Sequence, residues 1–257
     1  MINLHTHTVR CGHASGTDRE YIEAAIAAGY REIGFSDHSY LKLDEYAAGI
    51  FCPDEKTAED YVRSIRALRE EYKDRITIHL GMEMEYVGKC FDEMLAYYRD
   101  LGIEYFILGQ HIAYRDDGSE VYAGMPNDSL RSFDRYMDDC LEGMSTGAFT
   151  YLAHPDLLKY TGDRTVYRDR AAAFAEKLVG NQVQLEYNRL GFFETRNYPD
   201  PDFWRFASEA HADVCIALDA HSPQVYSDQE TVRRMHESLA ALGLKHRDPD
   251  IIELNRL

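Results

Sequence analysis

Met1-Ile-Asn-Leu-His5-Thr-His7-Thr-Val-Arg-Cys-Gly-His13 opens the chain. A short apolar start runs into two histidines at i and i+2, which on an extended strand project from the same face, so both imidazoles can reach one ion. Five further segments repeat this form, each a strand-like run ending in His, Asp or Glu. They are Ile33-Gly-Phe-Ser-Asp37-His38, Ile78-His-Leu-Gly-Met-Glu83, Phe106-Ile-Leu-Gly-Gln-His111, Tyr151-Leu-Ala-His154-Pro155 and Val214-Cys-Ile-Ala-Leu-Asp219-Ala-His221.

Between these runs the apolar residues adopt the helical period. Ala58, Tyr61, Val62, Ile65 and Leu68 share one side of the segment 57–74, with charges on the other. The pattern predicts helices over 18–29, 57–74, 89–101, 128–145, 168–180, 200–210 and 228–241. It predicts strands at the start and over 31–37, 75–86, 104–112, 149–154, 182–188 and 213–219. Ser15-Gly-Thr17-Asp18 offers an oxygen side chain to cap the first helix. The segment 40–56, with Gly49 and Pro53, reads as a loop placed to cover a pocket mouth.

Seven strands alternating with seven helices mean a βα-repeating architecture with a parallel sheet. An open sheet concentrates its site at one switch point, whereas a barrel brings every strand end to one rim. Candidate residues end six of the strands, and the remaining one adds Glu186 and Asn188 at the same level. The expected fold is therefore an α/β barrel short of the usual eight units.

Chemistry spread from residue 5 to residue 221 argues that residues 1–257 form a single domain. Apolar residues make up 45% and charged residues 28%, enough for a substantial core. A net charge of −17 with no Lys/Arg-rich block argues against nucleic acid as the main partner. No stretch approaches the roughly 20 apolar residues of a membrane span, and a cytoplasmic location is expected. Cys11, Cys52, Cys90, Cys140 and Cys215 are scattered without C-x-x-C spacing, as reduced thiols are. Cys11 lies between two candidate ligands and reads as a bystander.

Of eleven histidines, His5, His7, His13, His38, His111, His154 and His221 fall at strand ends or in the loops just beyond. His79, His211, His236 and His246 do not, and receive no role. Asp219 shares a face with His221, and Glu83 with Glu85, a spacing that leaves open which glutamate is a ligand. Imidazole and carboxylate suit zinc, iron or manganese. So many donors exceed the needs of one ion, and two or three divalent cations are implied. Ions about 3.5–4 Å apart share a bridging carboxylate and water, yielding a hydroxide for in-line displacement. Phosphate ester hydrolysis is the reaction that most needs it.

The set His5-x-His7, His13, Asp37-His38, Gly81-x-Glu83, Gln110-His111, His154-Pro155 and Asp219-x-His221 resembles the polymerase-and-histidinol-phosphatase (PHP) family of metal-dependent phosphoesterases, over essentially the whole chain. The resemblance implies a distorted (β/α)7 TIM-like barrel with a di- or trinuclear centre, and it selects Glu83 over Glu85. It implies that His5, His7, Glu83 and Asp219 hold one metal. Glu83 then bridges to a second held with His111 and His154, and His13, His38 and His221 hold a third. Glu83, Asp219 and His221 are the members assigned to catalysis. Length and single-domain form look most like the stand-alone histidinol-phosphate phosphatases, which implies L-histidinol phosphate as the small phosphorylated substrate and attack by a metal-bridging hydroxide. Leu108-Gly-Gln-His111 and Glu186-Tyr-Asn188-Arg-Leu-Gly191 depart from the forms associated with those enzymes.

A phosphate also needs a cationic anchor, for which Arg189 is the first choice, ahead of Arg10, Arg115, Arg164 and Arg196. Glu85, Glu186 or Asp156 would receive a substrate amine, and Glu186 could instead orient a ligand histidine. Another small phosphomonoester or a nucleotide is the alternative substrate. An amidohydrolase-like C–N hydrolase shares the His-x-His start, but no lysine stands where such enzymes bridge their metals. A non-catalytic metal- or nucleotide-binding domain is the remaining rival. There is no phosphate-loop, dinucleotide-binding or nucleophile-elbow motif.

Overall fold

The computed structural model describes residues 1–39 and 54–254. The elements run β1 (Ile2–Asn3), α1 (Asp18–Ala27), β2 (Glu32–His38), α2 (Glu55–Tyr72), β3 (Thr77–Met84), α3 (Phe91–Leu101), β4 (Tyr105–Leu108), β5 (Ile112–Tyr114), β6 (Glu120–Tyr122), α4 (Leu130–Ser145), β7 (Phe149–Leu152), α5 (Arg164–Gly180), β8 (Gln184–Asn188), α6 (Arg189–Glu194), α7 (Pro201–Glu209), β9 (Asp213–Ala217) and α8 (Gln229–Ala241). Seven strands form one parallel sheet in the order β1-β2-β3-β4-β7-β8-β9.

The sheet curls until its two edges meet just past the ends of β1 and β9. Thr6 and Ala220 form a parallel bridge, in which His7 N donates to Ala220 O at 3.0 Å and Ala220 N to His5 O at 3.1 Å. Closure removes the exposed strand edges. The same bonds fix the backbone of the His-x-His pair. The barrel is least regular from β4 to β8: the β4–β7 register shifts between Phe106 and Leu108, and β7 meets β8 through Leu152 and Leu185 alone.

Tyr105 fills the interior, its hydroxyl donating to Leu4 O at 2.8 Å and to Phe35 O at 3.2 Å. Two glycines make room for it. A Cβ on Gly34 would lie 2.2 Å from the Tyr105 hydroxyl, and one on Gly81 2.3 Å from its ring. Leu4, Ile107, Tyr151, Ala153 and Cys215 complete this inner cluster, and Ile251 of the C-terminal segment packs against it. That segment is held by Arg247 N to Val214 O at 2.9 Å and Leu254 N to Glu104 O at 2.8 Å. The larger core lies between the strands and the helices that surround them.

Helix starts follow their caps. Thr17 and Glu20 form a reciprocal capping box on α1, and Asp54 accepts from Thr57 N at 2.7 Å on α2. Asp163 accepts from Thr165 N at 2.7 Å, which starts α5 four residues before the expected 168.

The predicted strand 104–112 is corrected most. β4 ends at Leu108, and Ile112 opens an antiparallel hairpin, β5–β6. Gly109 is the turning point: a Cβ there would lie 2.1 Å from Glu83 Oε1, so only bare backbone passes over that carboxylate. The helix α6 is a further addition, started by the Asn188 side chain accepting from Gly191 N at 2.9 Å. Of the loop expected over 40–56, residues 40–53 lie outside the described residues and Glu55 already belongs to α2.

Candidate metal centre

The C-terminal strand ends supply the site. β2 places His38 in register with Glu83 of β3. His111 follows β4, His154 follows β7 and Asp219 follows β9. His154 (φ 29°) and Asp219 (φ 47°) have positive φ, a backbone that non-glycine residues hold only where their surroundings fix it.

Two carboxylates stand among the imidazoles. Glu83 Oε1 lies 3.4 Å from His5 Nε2, 3.0 Å from His154 Nε2 and 3.6 Å from His111 Nε2. Its Oε2 lies 3.4 Å from His7 Nε2 and 3.0 Å from His38 Nδ1. Asp219 Oδ1 lies 3.1 Å from His7 Nε2, 3.5 Å from His5 Nε2 and 3.3 Å from His221 Nδ1. Glu83 is 2% and Asp219 4% exposed, yet Glu83 Oε2 and Asp219 Oδ1 have no hydrogen-bond partner. A buried carboxylate oxygen left in this way costs free energy unless a cation meets it. His5/His7/Asp219, His5/Glu83/His154 and His7/His38/His221 each bring three donor atoms within 4.8 Å of one another. The residues therefore fit divalent cations, with Glu83 placed to reach two positions.

A second layer of residues orients the candidate ligands. Glu186 Oε2 lies 2.8 Å from His5 Nδ1, and Glu85 Oε1 2.7 Å from His111 Nδ1. Asp37 Oδ1 lies 3.4 Å from His7 Nδ1, while its Oδ2 takes the Thr8 backbone N–H at 3.2 Å. Each leaves the Nε2 of its histidine for a metal. Asn188 Nδ2 donates to Glu186 and, at 3.1 Å, to Asp219 Oδ2. Glu85 and Glu186, expected to receive a substrate amine, thus each face a strand-end histidine, the arrangement also weighed for Glu186.

Electrostatics agree with a site built for cations. Burial opposes charge on Glu83, but His111, His5, His38 and the His154 hydrogen bond outweigh it and hold the carboxyl well below its usual range. Asp219 is likewise depressed, burial being overcome chiefly by His5 and His7. For His7, burial is overcome by Asp219, Asp37 and Glu83, and its pKa rises to about 9. His38 falls to about 4 and His221 to about 3, in each case through burial and then repulsion from His7. Burial and Asp37 push the Cys11 thiol up to about 12.

Above the ligands opens a cavity of about 280 Å³, whose wall includes Tyr122, Leu190, Glu194, Arg196 and Tyr198. Tyr122 stacks on His111 with ring centroids 6.2 Å apart, and Tyr198 stands 5.8 Å from His154. Arg196 donates from Nε to Glu194 Oε2 at 2.8 Å and from Nη1 to the Tyr198 hydroxyl at 3.3 Å. Arg196 is thus the arginine of the cavity wall. Arg189 is buried, pairs with Asp228 and lies 4.1 Å over the Phe193 ring. Arg10 pairs with Asp18 and Asp60, Arg164 with Asp200 and Asp202, and Arg115 is exposed on the β5–β6 turn. Asp156 accepts from Trp204 Nε1 at 3.1 Å and anchors α7. Sequence reasoning passed over Tyr122, Leu190, Glu194 and Tyr198. Tyr122 lies between the predicted strand 104–112 and the predicted helix 128–145, a stretch to which the sequence pattern assigns no element.

Residues 3–190 match the PHP domain model. A Deinococcus radiodurans protein named "Probable histidinol-phosphatase" is 28% identical over 231 residues, 87% of each chain. The histidinol-phosphatase of Bacillus subtilis is 29% identical over 118 residues, 44% of each chain. The crystal structure of histidinol phosphate phosphatase from Lactococcus lactis, complexed with zinc, L-histidinol and phosphate, superposes with a TM-score of 0.70 at 19% identity, covering 97% of this chain and 96% of that one. This last likeness supports the fold, a seven-stranded parallel barrel ringed by helices. By its matched residues and by its ring of strand-end histidines and carboxylates, the chain belongs to the PHP domain family.

Proposed function

We propose that the chain is a metal-dependent phosphomonoesterase that hydrolyses L-histidinol phosphate to L-histidinol and phosphate. One observation carries the reading: Glu83 and Asp219 each hold a buried, unpartnered oxygen among strand-end imidazoles, on the floor of a cavity whose wall carries a guanidinium. The names of the Deinococcus and Bacillus relatives supply the substrate.

His5, His7, Glu83 and Asp219 would hold one cation, Glu83 with His111 and His154 a second, and His13, His38 and His221 a third. Zinc, iron and manganese all suit these donors. When bound, such cations offset phosphate charge and make water a nucleophile near neutral pH. Glu83 and Asp219 remain ionised throughout, so they fix charge and position rather than exchange protons. Neutral His221, whose Nδ1 donates to Asp219 O at 3.1 Å, keeps its Nε2 lone pair for the third cation.

Arg196 takes the non-bridging phosphate oxygens, turning from Glu194 to do so. Glu194, so released, receives the substrate amine, and Tyr122 and Tyr198 flank the imidazole. The described residues act as one domain, because β9, Asp219 and His221 lie beyond the matched stretch and complete both barrel and site. Among the described residues no helix is long and apolar enough to cross a membrane. The free thiols of Cys11, Cys90, Cys140 and Cys215 suit the reducing cytoplasm.

The test is phosphate release from L-histidinol phosphate, a panel of other phosphomonoesters and a set of amides. Zinc- or manganese-loaded protein is compared with chelated protein and with His7→Ala. Preference for L-histidinol phosphate, lost on chelation and in the variant, is expected. Turnover that persists in both, or is confined to amides, overturns the reading.

A further inference from the structure

We propose that Cys11 supplies a thiolate to the third cation position, beside His13 and His221, making it a mixed sulfur–nitrogen site. The proposal rests on the metal centre described above and assigns it a ligand that the histidine pattern omits. Cys11, His13 and His221 bring one donor atom each within 4.8 Å of one another. Cys11 ends a 3-10 turn, Val9–Cys11, closed by Cys11 N to Thr8 O at 3.1 Å and followed by Gly12 at φ 82°. That turn leaves Cys11 3% exposed, on the protein side of the cluster, and puts His13 on the solvent side.

The orientation of the two rings is independent of the sulfur and points to a ligand. His13 Nδ1 lies 2.9 Å from Cys11 O and His221 Nδ1 3.1 Å from Asp219 O. A carbonyl only accepts, so each Nδ1 donates and each Nε2 keeps its lone pair, as in metal-bound histidines. Ser15 N donates to His221 O at 2.9 Å and holds the two loops together. Asp219 Oδ1, 4% exposed and without a hydrogen-bond partner, stands 3.3 Å from His221 and adds negative charge.

As the sulfur–metal bond forms, the thiol proton leaves to solvent, and no oxidant or reductant is required. A thiolate shifts this position toward zinc, cobalt or ferrous iron and away from manganese and magnesium, while the all-nitrogen and carboxylate positions keep their breadth. One centre then holds positions of different metal preference.

The test loads metal-free full-length protein with cobalt(II) and records its near-ultraviolet spectrum. A sulfur-to-cobalt charge-transfer band is expected with the last equivalent bound, absent in Cys11→Ser and retained in Cys90→Ser. Cys11→Ser should still bind the earlier equivalents and show the wild-type circular dichroism. Should that variant not fold, X-ray absorption of zinc-loaded wild-type protein decides the matter, with a sulfur neighbour expected at about 2.3 Å. Fully loaded wild-type protein with neither band nor sulfur neighbour, or a band that survives Cys11→Ser, overturns the proposal. Failure to bind cobalt at all overturns the metal centre itself.

Discussion

Glu186 and His5 are 181 positions apart in the chain, yet their Oε2 and Nδ1 atoms lie 2.8 Å apart with neither residue exposed to solvent. The contact sets both the tautomer and the direction of the His5 ring. Glu186→Gln keeps the shape and removes the charge. It should weaken metal binding about 10- to 100-fold while the circular dichroism stays unchanged. Competition with a chromophoric chelator measures this, and unchanged affinity would give Glu186 a different role.

Asp219 faces three imidazoles, those of His5, His7 and His221, through one unpartnered oxygen. Asp219→Ala should lower kcat/KM by a factor on the order of 1,000 or more, about 4 kcal/mol of barrier. Metal content by elemental analysis should fall in parallel. Full metal content with lost turnover would separate catalysis from binding at this residue.

In metal-free protein, protons substitute for the cations. Burial disfavours the charged imidazole at His7, and Asp219, Asp37 and Glu83 reverse that, lifting its pKa to about 9. His5 is raised in the same way. Metal loading must displace those protons, so affinity should rise with pH until about 9 and then level off. The stability of the metal-free protein should run the other way. A raised folded pKa stabilises fully below the unfolded value and loses that contribution as pH climbs through about 9. Chelator competition and chemical denaturation of metal-free protein over one pH series check the two opposite slopes.

Arg196 and Arg189 separate substrate binding from stability. Arg196→Ala should reduce kcat/KM about 10- to 100-fold, corresponding to the loss of a charge-assisted hydrogen bond, and leave the fold unchanged. Arg189→Ala should cost about 3 kcal/mol or more of stability, because Asp228 would lose its buried partner. Asp228 also accepts from Thr231 N at 3.1 Å, at the start of α8. Steady-state kinetics and urea unfolding of both variants distinguish them, and a KM effect confined to Arg189→Ala would reverse the assignment.

Gly109 and Gly81 offer a matched pair. An alanine at either collides with one side chain, Glu83 in the first case and Tyr105 in the second. Both should lose about 1–3 kcal/mol of stability from overpacking. Gly109→Ala alone should also lose metal affinity, since only it displaces a ligand. Equal metal affinity in the two variants would refute the distinction.

The barrel was legible because strands buried on both faces read as apolar runs and each ended in a ligand-type residue, as Ile33 to His38 does. The convergence of the candidate ligands was legible for the same reason, since spacing on a strand fixes the face. What escaped depends on contacts between distant segments. Gly109 reads as one more glycine until Glu83 is seen beneath it, and so the strand was carried on to residue 112 and the β5–β6 hairpin beyond it was missed. Arg189 follows the Glu186/Asn188 strand end in sequence, which suggested the cavity, but α6 turns its side chain toward Asp228. Glu85 shares the face of Glu83 by spacing, and only the position of His111 decides what each carboxylate meets.

The pairing of Thr6 with Ala220 makes the two ends of the barrel dependent on one another. A polypeptide that stopped at residue 190 would carry His5, His7 and Glu83 without Asp219 or His221, and with no ninth strand to seat the first. A centre that draws on both sets, as proposed above, would await synthesis through residue 221, and a cation held there would rivet β1 to β9.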